Sequence, residues 1–184
     1  MAITITEALA EIKTIGKRIE KKRAFVRSYL VRDESRRDPL EKEGGSVAAI
    51  AATLQSIQDL EERIVEIRRL IAKANSENTI AIDNETRTIA DWLTWRREVQ
   101  GGREHFLAAM ASNLSQFREK LRREGRGVSK ADEKPREGDA IVCVDELSLA
   151  KEIDHLTDVT GRLDGLLSLN NARIEIGVDR TEEK

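Results

Sequence analysis

Few residues in this chain are equipped for catalysis. The histidines are His105 and His155, and the single cysteine is Cys143, with no histidine beside it in sequence. No P-loop, no dinucleotide-binding glycine fingerprint and no HExxH helix occurs. One spacing has metal-binding form: Glu152-x-x-His155 is the i, i+3 pair that a di-iron helical bundle places on a ligand helix. Such a centre needs a second pair, and His105 has Gly102 three residues before it. The ligand set is therefore incomplete. These absences predict a chain with no catalytic residue, metal or cofactor, which is not an enzyme.

Two other groupings could act by binding. Lys17, Arg18, Lys21, Lys22, Arg23 and Arg27 fall on the first helical segment, and Arg118, Lys120, Arg122, Arg123 and Arg126 on the third. Brought together they would form a phosphate-binding face. Glu20, Glu119 and Glu124 dilute them, however, and cations are favoured in the last turns of helices anyway.

The second grouping is chemically richer. Asn75 and Asn78 close one helix, Arg87 lies in a hairpin, Asp91, Trp92, Trp95, Arg96 and Arg97 open the next helix, and Asn170 and Asn171 lie near the end of the last. Both tryptophans of the chain are here. Stacking rings, guanidinium groups, amides and a helix N-terminus suit a nucleotide-like anionic ligand. The same residues also suit a structural lock, with asparagines ending helices, Arg–Asp pairs fastening a hairpin and tryptophan plugging a bundle end.

The elements that must position these residues carry a seven-residue repeat. Ile5, Ile12, Ile19 and Val26 mark a first helix over about 4–32, opened by a Thr4-x-x-Glu7 capping box. Ile50, Ile57, Ile64 and Ile71, with Leu60, Ile67 and Ala74, mark a second over 46–75, with Ser46 as its N-cap. Thr79–Ile82 and Glu85–Thr88 flank Asp83-Asn84, a pair that tolerates left-handed backbone, and predict a small hairpin over 79–88. Thr88-x-x-Asp91 caps a third helix over 88–124, whose apolar stripe runs through Trp92, Val99, Phe106, Met110, Leu114, Phe117 and Leu121. Gly101-Gly102 marks a kink in it or a close approach of another backbone. Ala140–Val144 has the β-branched character of a short extra strand. Leu149, Leu156 and Leu163 mark a fourth helix over 145–176, capped by Asp145. Segments 33–45 and 125–139 read as exposed loops and 177–184 as a frayed tail.

Composition agrees with an all-α chain. Charged residues make up 36% of it, aromatics only 3%, and there are two prolines, too little for the thick core and many turns of an α/β enzyme. A net charge of −2 provides no global field toward nucleic acid or anionic lipid. No apolar run reaches the roughly 20 residues of a membrane span, and the N-terminus has no signal-peptide pattern. The expectation is one cytoplasmic helical domain: long antiparallel helices in a four-helix, coiled-coil-like bundle with a hairpin insertion. Such slender helices leave a thin core, which predicts that seams are shared between subunits of a homo-oligomer.

Glu7-Ala8-Leu9 near the start, Asn75-x-x-Asn78-Thr79 after a long helix and Thr88-x-x-Asp91-x-Leu93-x-x-Arg96 after a hairpin form a further pattern. It resembles a family of small bacterial and phage helical proteins with no established activity. That family tends to carry Asn-Trp near the C-terminus, where this chain has Asn170-Asn171 and no Trp. The resemblance implies a phage, prophage or bacterial origin and a non-catalytic role. The resemblance supplies no ligand; a separate analogy with small phage oligomers that sequester nucleotide immune signals gives an alternative in which the hairpin end holds such a signal.

Overall fold

Alternating threonine and isoleucine at the N-terminus form a strand before any helix begins. In a computed structural model of the chain, which describes residues 2–33, 35–130, 136 and 138–177, the order is β1 (Ala2–Thr4), α1 (Ile5–Ser28), α2 (Ser46–Glu77), β2 (Thr79–Ile82), β3 (Glu85–Thr88), α3 (Ile89–Trp95), α4 (Gly101–Arg123), β4 (Val128–Lys130), β5 (Ala140–Val142), α5 (Glu146–Arg173) and β6 (Glu175–Gly177). A short 3-10 turn, Glu41–Glu43, precedes α2, and a π-helical stretch, Arg96–Gln100, joins α3 to α4 without a break. Helices dominate, and each of the three small sheets among the described residues has two strands. The chain divides into two compact units: Met1–Glu77 with Ser168–Lys184, and Asn78–Leu167.

In the first unit α1 packs on α2. Ile5, Ala8, Ile15 and Ile19 meet Ile57, Ile67, Ile71 and Ala74, together with Ile176 of β6. Ile5, Ile19, Ile57, Ile67, Ile71 and Ala74 among them belong to the predicted seven-residue rows. Full burial of an isoleucine such as Ile67 contributes about 1.5–3 kcal/mol. Arg63 crosses between the helices to Glu11 at 3.1 Å, and Arg23 reaches Glu61 at 2.7 Å. The Thr4–Glu7 capping box forms as expected, and its amide and hydroxyl hold the Glu7 carboxyl below the usual range. β1 pairs antiparallel with β6, a sheet absent from the sequence reading. Ile174 and Ile176 alternate with Glu175 there, so α5 stops at Arg173 instead of running to 176. Residues 178–184 of the expected frayed tail lie outside the described residues.

The segment expected as an exposed loop over 33–45 has an ordered inner side. Leu40 is buried, and Asp38 accepts hydrogen bonds from the Ser46 hydroxyl at 2.5 Å, the Ser46 amide at 2.9 Å and the Leu40 amide at 2.9 Å. Ser46 is therefore not the N-cap. It is the first residue of α2, and the carboxylate of Asp38 satisfies its free amide. These donors, the Ser46 hydroxyl first, lower the Asp38 carboxyl from 3.8 to about 2. Because the folded value is depressed, the stabilisation is complete above about pH 4 and is lost as pH falls through 2. Asp38→Asn is expected to lower stability at neutral pH and to flatten its decline between about pH 4 and pH 2, read by urea denaturation across that range. A variant whose acid dependence overlays the parent's would refute this role.

In the second unit β2 and β3 form the predicted hairpin, with Ile80 opposite Arg87 and Ile82 opposite Glu85. Asp83 takes the left-handed backbone at its turn, with φ 54°. Helix α4 packs on α5 through Leu107, Leu149 and Leu156, flanked by Trp95, Met110, Ala111, Leu114 and Ile153. Arg103–Glu152 at 2.6 Å and Arg118–Glu146 at 2.5 Å show the two running antiparallel. β5, at the place expected for a strand, pairs in parallel with β4, which lies inside the segment expected as an exposed loop over 125–139. Of that segment, residues 131–135 and 137 lie outside the described residues. No helix of the described residues is long and apolar enough to cross a membrane.

Candidate functional site

The residues read as a possible ligand site divide between the two units. Asn75, Asn170 and Asn171 belong to the first, and Asn78, Arg87, Asp91, Trp92, Trp95, Arg96 and Arg97 to the second.

Within the second unit the hairpin and α3 are locked together by side chains. Alternation along β2 turns Ile80 and Ile82 inward. The Thr88 hydroxyl caps α3 by accepting from the Asp91 amide at 3.0 Å, and donates to the Asp91 carboxylate at 2.7 Å. This cap aims Trp92 inward, where its ring is 2% exposed. Its indole N–H donates to the Ile80 carbonyl at 3.0 Å, which ties the helix to the strand. Trp95 stands edge-on to Trp92, with ring centroids 5.6 Å apart. Arg87 lies over the Trp92 ring at 4.9 Å and is paired with Glu85. The Asn78 carbonyl accepts from the Ile89 amide at 2.9 Å. Arg96 pairs with Asp164 at 2.7 Å, and Arg97 with Glu98 at 2.6 Å.

The charges and the indole therefore already have partners within the chain. Asp83 at the hairpin tip pairs with Arg162 of α5 at 2.5 Å, and His155 stands 3.9 Å from the same carboxylate. Sequence reading missed Arg162 and Asp164. Both lie on exposed positions of α5, and only the fold brings the hairpin tip to Arg162 and Arg96 of the π-helical stretch to Asp164.

In the first unit Asn170 gives its carbonyl to the Ile174 amide at 2.8 Å, which ends α5 as the following strand begins. Asn171 is half-buried one residue on. The side-chain oxygen of Asn75 is buried and makes no hydrogen bond among the described residues. An acceptor left this way costs about 1–3 kcal/mol.

Among the described residues neither of the other candidate chemistries has a built site. Glu152 is taken by Arg103. No group of three or more His, Cys, Asp or Glu among the described residues could hold a metal ion. The basic residues of α1 and α4 fall in different units. Several are paired: Arg23 with Glu20 and Glu61, Arg122 and Arg123 with Glu119, and Arg118 with Glu146.

The largest departure from the sequence reading lies on the third helix. Val99, Phe106 and Phe117, expected within its apolar stripe, are 46%, 62% and 47% exposed, whereas Leu107, outside that stripe, is 4% exposed; Leu121 of the expected stripe is buried at 1%. The cause is the π-helical stretch Arg96–Gln100. Its wider turn takes up one extra residue and advances the buried row by one position, about 100° around the axis. Trp92 thus continues not into Val99 and Phe106 but into Gln100, Leu107, Leu114 and Leu121, a second seven-residue row. Gly101 and Gly102 do not mark a close approach of another backbone. Gly101 has helical backbone, and a Cβ on either glycine would meet nothing within 4 Å.

No family model matches the sequence, and neither a curated protein nor a solved structure matches it.

Proposed function

We propose that this chain is a non-enzymatic, self-assembling helical protein, and that copies associate through faces of α4 that its own pairing with α5 leaves open. The observation that carries the reading is the exposure of Phe106 and Phe117. They are two of the three phenylalanines in the chain and share one face of α4, eleven residues apart. Large apolar side chains aligned on one helix face mark contact surfaces more often than isolated exposed residues do. Each helix pair also has a narrow core for its surface, and further helices would widen it. The assembled form is a four-helix, coiled-coil-like bundle whose helices come from more than one copy.

Sedimentation equilibrium tests this. The parent is expected to associate at micromolar concentration. Phe106→Glu combined with Phe117→Glu is expected to raise the dissociation constant at least tenfold, about 1.4 kcal/mol, with helical content unchanged. A parent that sediments as a monomer at every concentration would sink the proposal.

A further inference from the structure

Gly101 and Gly102 are not explained by the fold around them. Each weakens a helix relative to alanine, yet both lie in α4, and neither has a positive φ. A Cβ on either would meet nothing within 4 Å. They directly follow the π-helical stretch Arg96–Gln100, itself a wider turn than a regular helix uses. Two glycines against a π turn make this the place where α4 most easily rotates relative to α3.

Space for such a rotation lies on the side of α5. Two open cavities between α4 and α5, about 230 Å³ and about 310 Å³, share Ile153 and form one furrow. Small or polar α4 residues line it, and each directly follows a large apolar one. Ala108 follows Leu107, Ala111 follows Met110, Ser115 follows Leu114 and Arg118 follows Phe117. Drawing the π stretch into a regular α-helix advances α4 by about 100° and about 1.5 Å, the step of one residue. Each larger side chain then stands where its smaller or polar neighbour stood, within the furrow. Phe106 takes the buried place of Leu107, and Trp92, Val99 and Phe106 fall into one unbroken seven-residue row.

Other positions hold α4 in its present register. The same step carries Asn113 to the place of Leu114 and Lys120 to that of Leu121, which is buried. Burying an amide and an ammonium offsets the gain, so the turned register is the minor state.

We infer that the Arg96–Gln100 stretch is a register switch for α4. In the present state Phe106 and Phe117 face outward and the furrow is open; in the turned state both rings move toward α5 and the furrow is filled. Gly125, just past the end of α4, absorbs the turn in the connection to β4. The consequence for assembly rests on the proposed function. A copy seated on the phenylalanine face binds only the present state, so association holds the π stretch in place and the turned state opposes association.

Thiol labelling reads the rotation directly. In full-length protein carrying Cys143→Ser, Leu107→Cys is buried in the present state and reaches the exposed place of Ala108 in the turned one. It is expected to label without global unfolding, at a rate that low urea leaves unchanged. Deleting Glu98 removes the residue that the π stretch holds in excess and fixes the present register. The deletion is expected to slow this labelling at least tenfold. Leu163→Cys in α5, at a fully buried position, is expected to label only by unfolding and to ignore the deletion.

Asn113→Leu combined with Lys120→Leu gives a second reading. Both positions are exposed and lie on the side of Phe106, so on a fixed α4 the added leucines would strengthen association. With the switch they suit the buried side of the turned state, and association is expected to weaken at least tenfold by sedimentation.

Labelling of Leu107→Cys that follows urea as Leu163→Cys does, and ignores the Glu98 deletion, overturns the switch and leaves self-assembly standing. Stronger association of the double-leucine variant does the same. A parent that never associates sinks the proposed function alone, and the labelling still decides the switch.

Discussion

Trp92→Ala is expected to lower the unfolding free energy by about 3–5 kcal/mol, the range for removing a large aromatic from a core. The ring is 2% exposed, so its loss leaves a cavity between the hairpin and α3. The substitution also strips the Ile80 carbonyl of its indole donor and removes the ring beneath Arg87. Against a total of about 5–15 kcal/mol for a domain, such a loss threatens folding at physiological temperature. Trp92→Phe partly separates the contributions, since it removes the N–H and the smaller part of the ring system while keeping an aromatic ring in the site. It is expected to cost about 1–3 kcal/mol, the penalty of a buried acceptor left unpaired together with some lost packing. Urea titrations followed by circular dichroism read both. A Trp92→Ala protein within about 1 kcal/mol of the parent would show that the indole is not the lock between hairpin and helix.

Single-residue deletions in the third helix should divide sharply by position. Deleting Glu98 is expected to leave the fold intact, with stability within about 1 kcal/mol of the parent. The π-helical stretch already absorbs one residue more than a regular helix requires. Removing it brings Trp92, Gln100 and Leu107 into unbroken seven-residue spacing while the buried sides of α3 and α4 keep their alignment. Only the exposed Arg97–Glu98 pair is lost, and such pairs contribute little. Deleting Ser112 has no such reserve. Everything after it turns by about 100°, which carries Leu114 and Leu121 off the buried side at about 1.5–3 kcal/mol each. Thermal melts of the two variants give the comparison. Equal destabilisation by both would mean that the π-helical stretch does not reconcile the two registers.

Much of the scaffold could be read from residue order because its causes are local. The Thr4–Glu7 box, the Thr88 cap and the left-handed Asp83 are short-range hydrogen-bonding and backbone preferences, and the structure has all three. The isoleucine rows of α1 and α2 were legible because one unbroken period runs through each, and the helices need only pair to bury them. The β1–β6 sheet was not legible, and of the β4–β5 pair only β5 was. Strands of three residues carry too short an alternation, and their partners lie far away in the chain or across a loop. The candidate site was legible as a set of residue types, but its side chains could not be given roles. Trp92 reads equally well as a stacking platform or a plug until its N–H is placed on the Ile80 carbonyl.

The sequence by itself determined that this protein is helical and where most helices begin, but it gave the third helix a single apolar stripe through Val99 and Phe106 and left Leu107 out of it. Both rows, Val99–Phe106 and Leu107–Leu114–Leu121, are written into the chain at the same seven-residue spacing. Only the tertiary structure decided between them. Leu107 is buried and Phe106 is exposed because the Trp92 lock holds α3 in one orientation while α5 selects the face of α4 it packs against. The π-helical turn is the one-residue adjustment that satisfies both demands. A helix cannot turn two rows 100° apart toward the same neighbour, so packing buried one and left the other facing solvent.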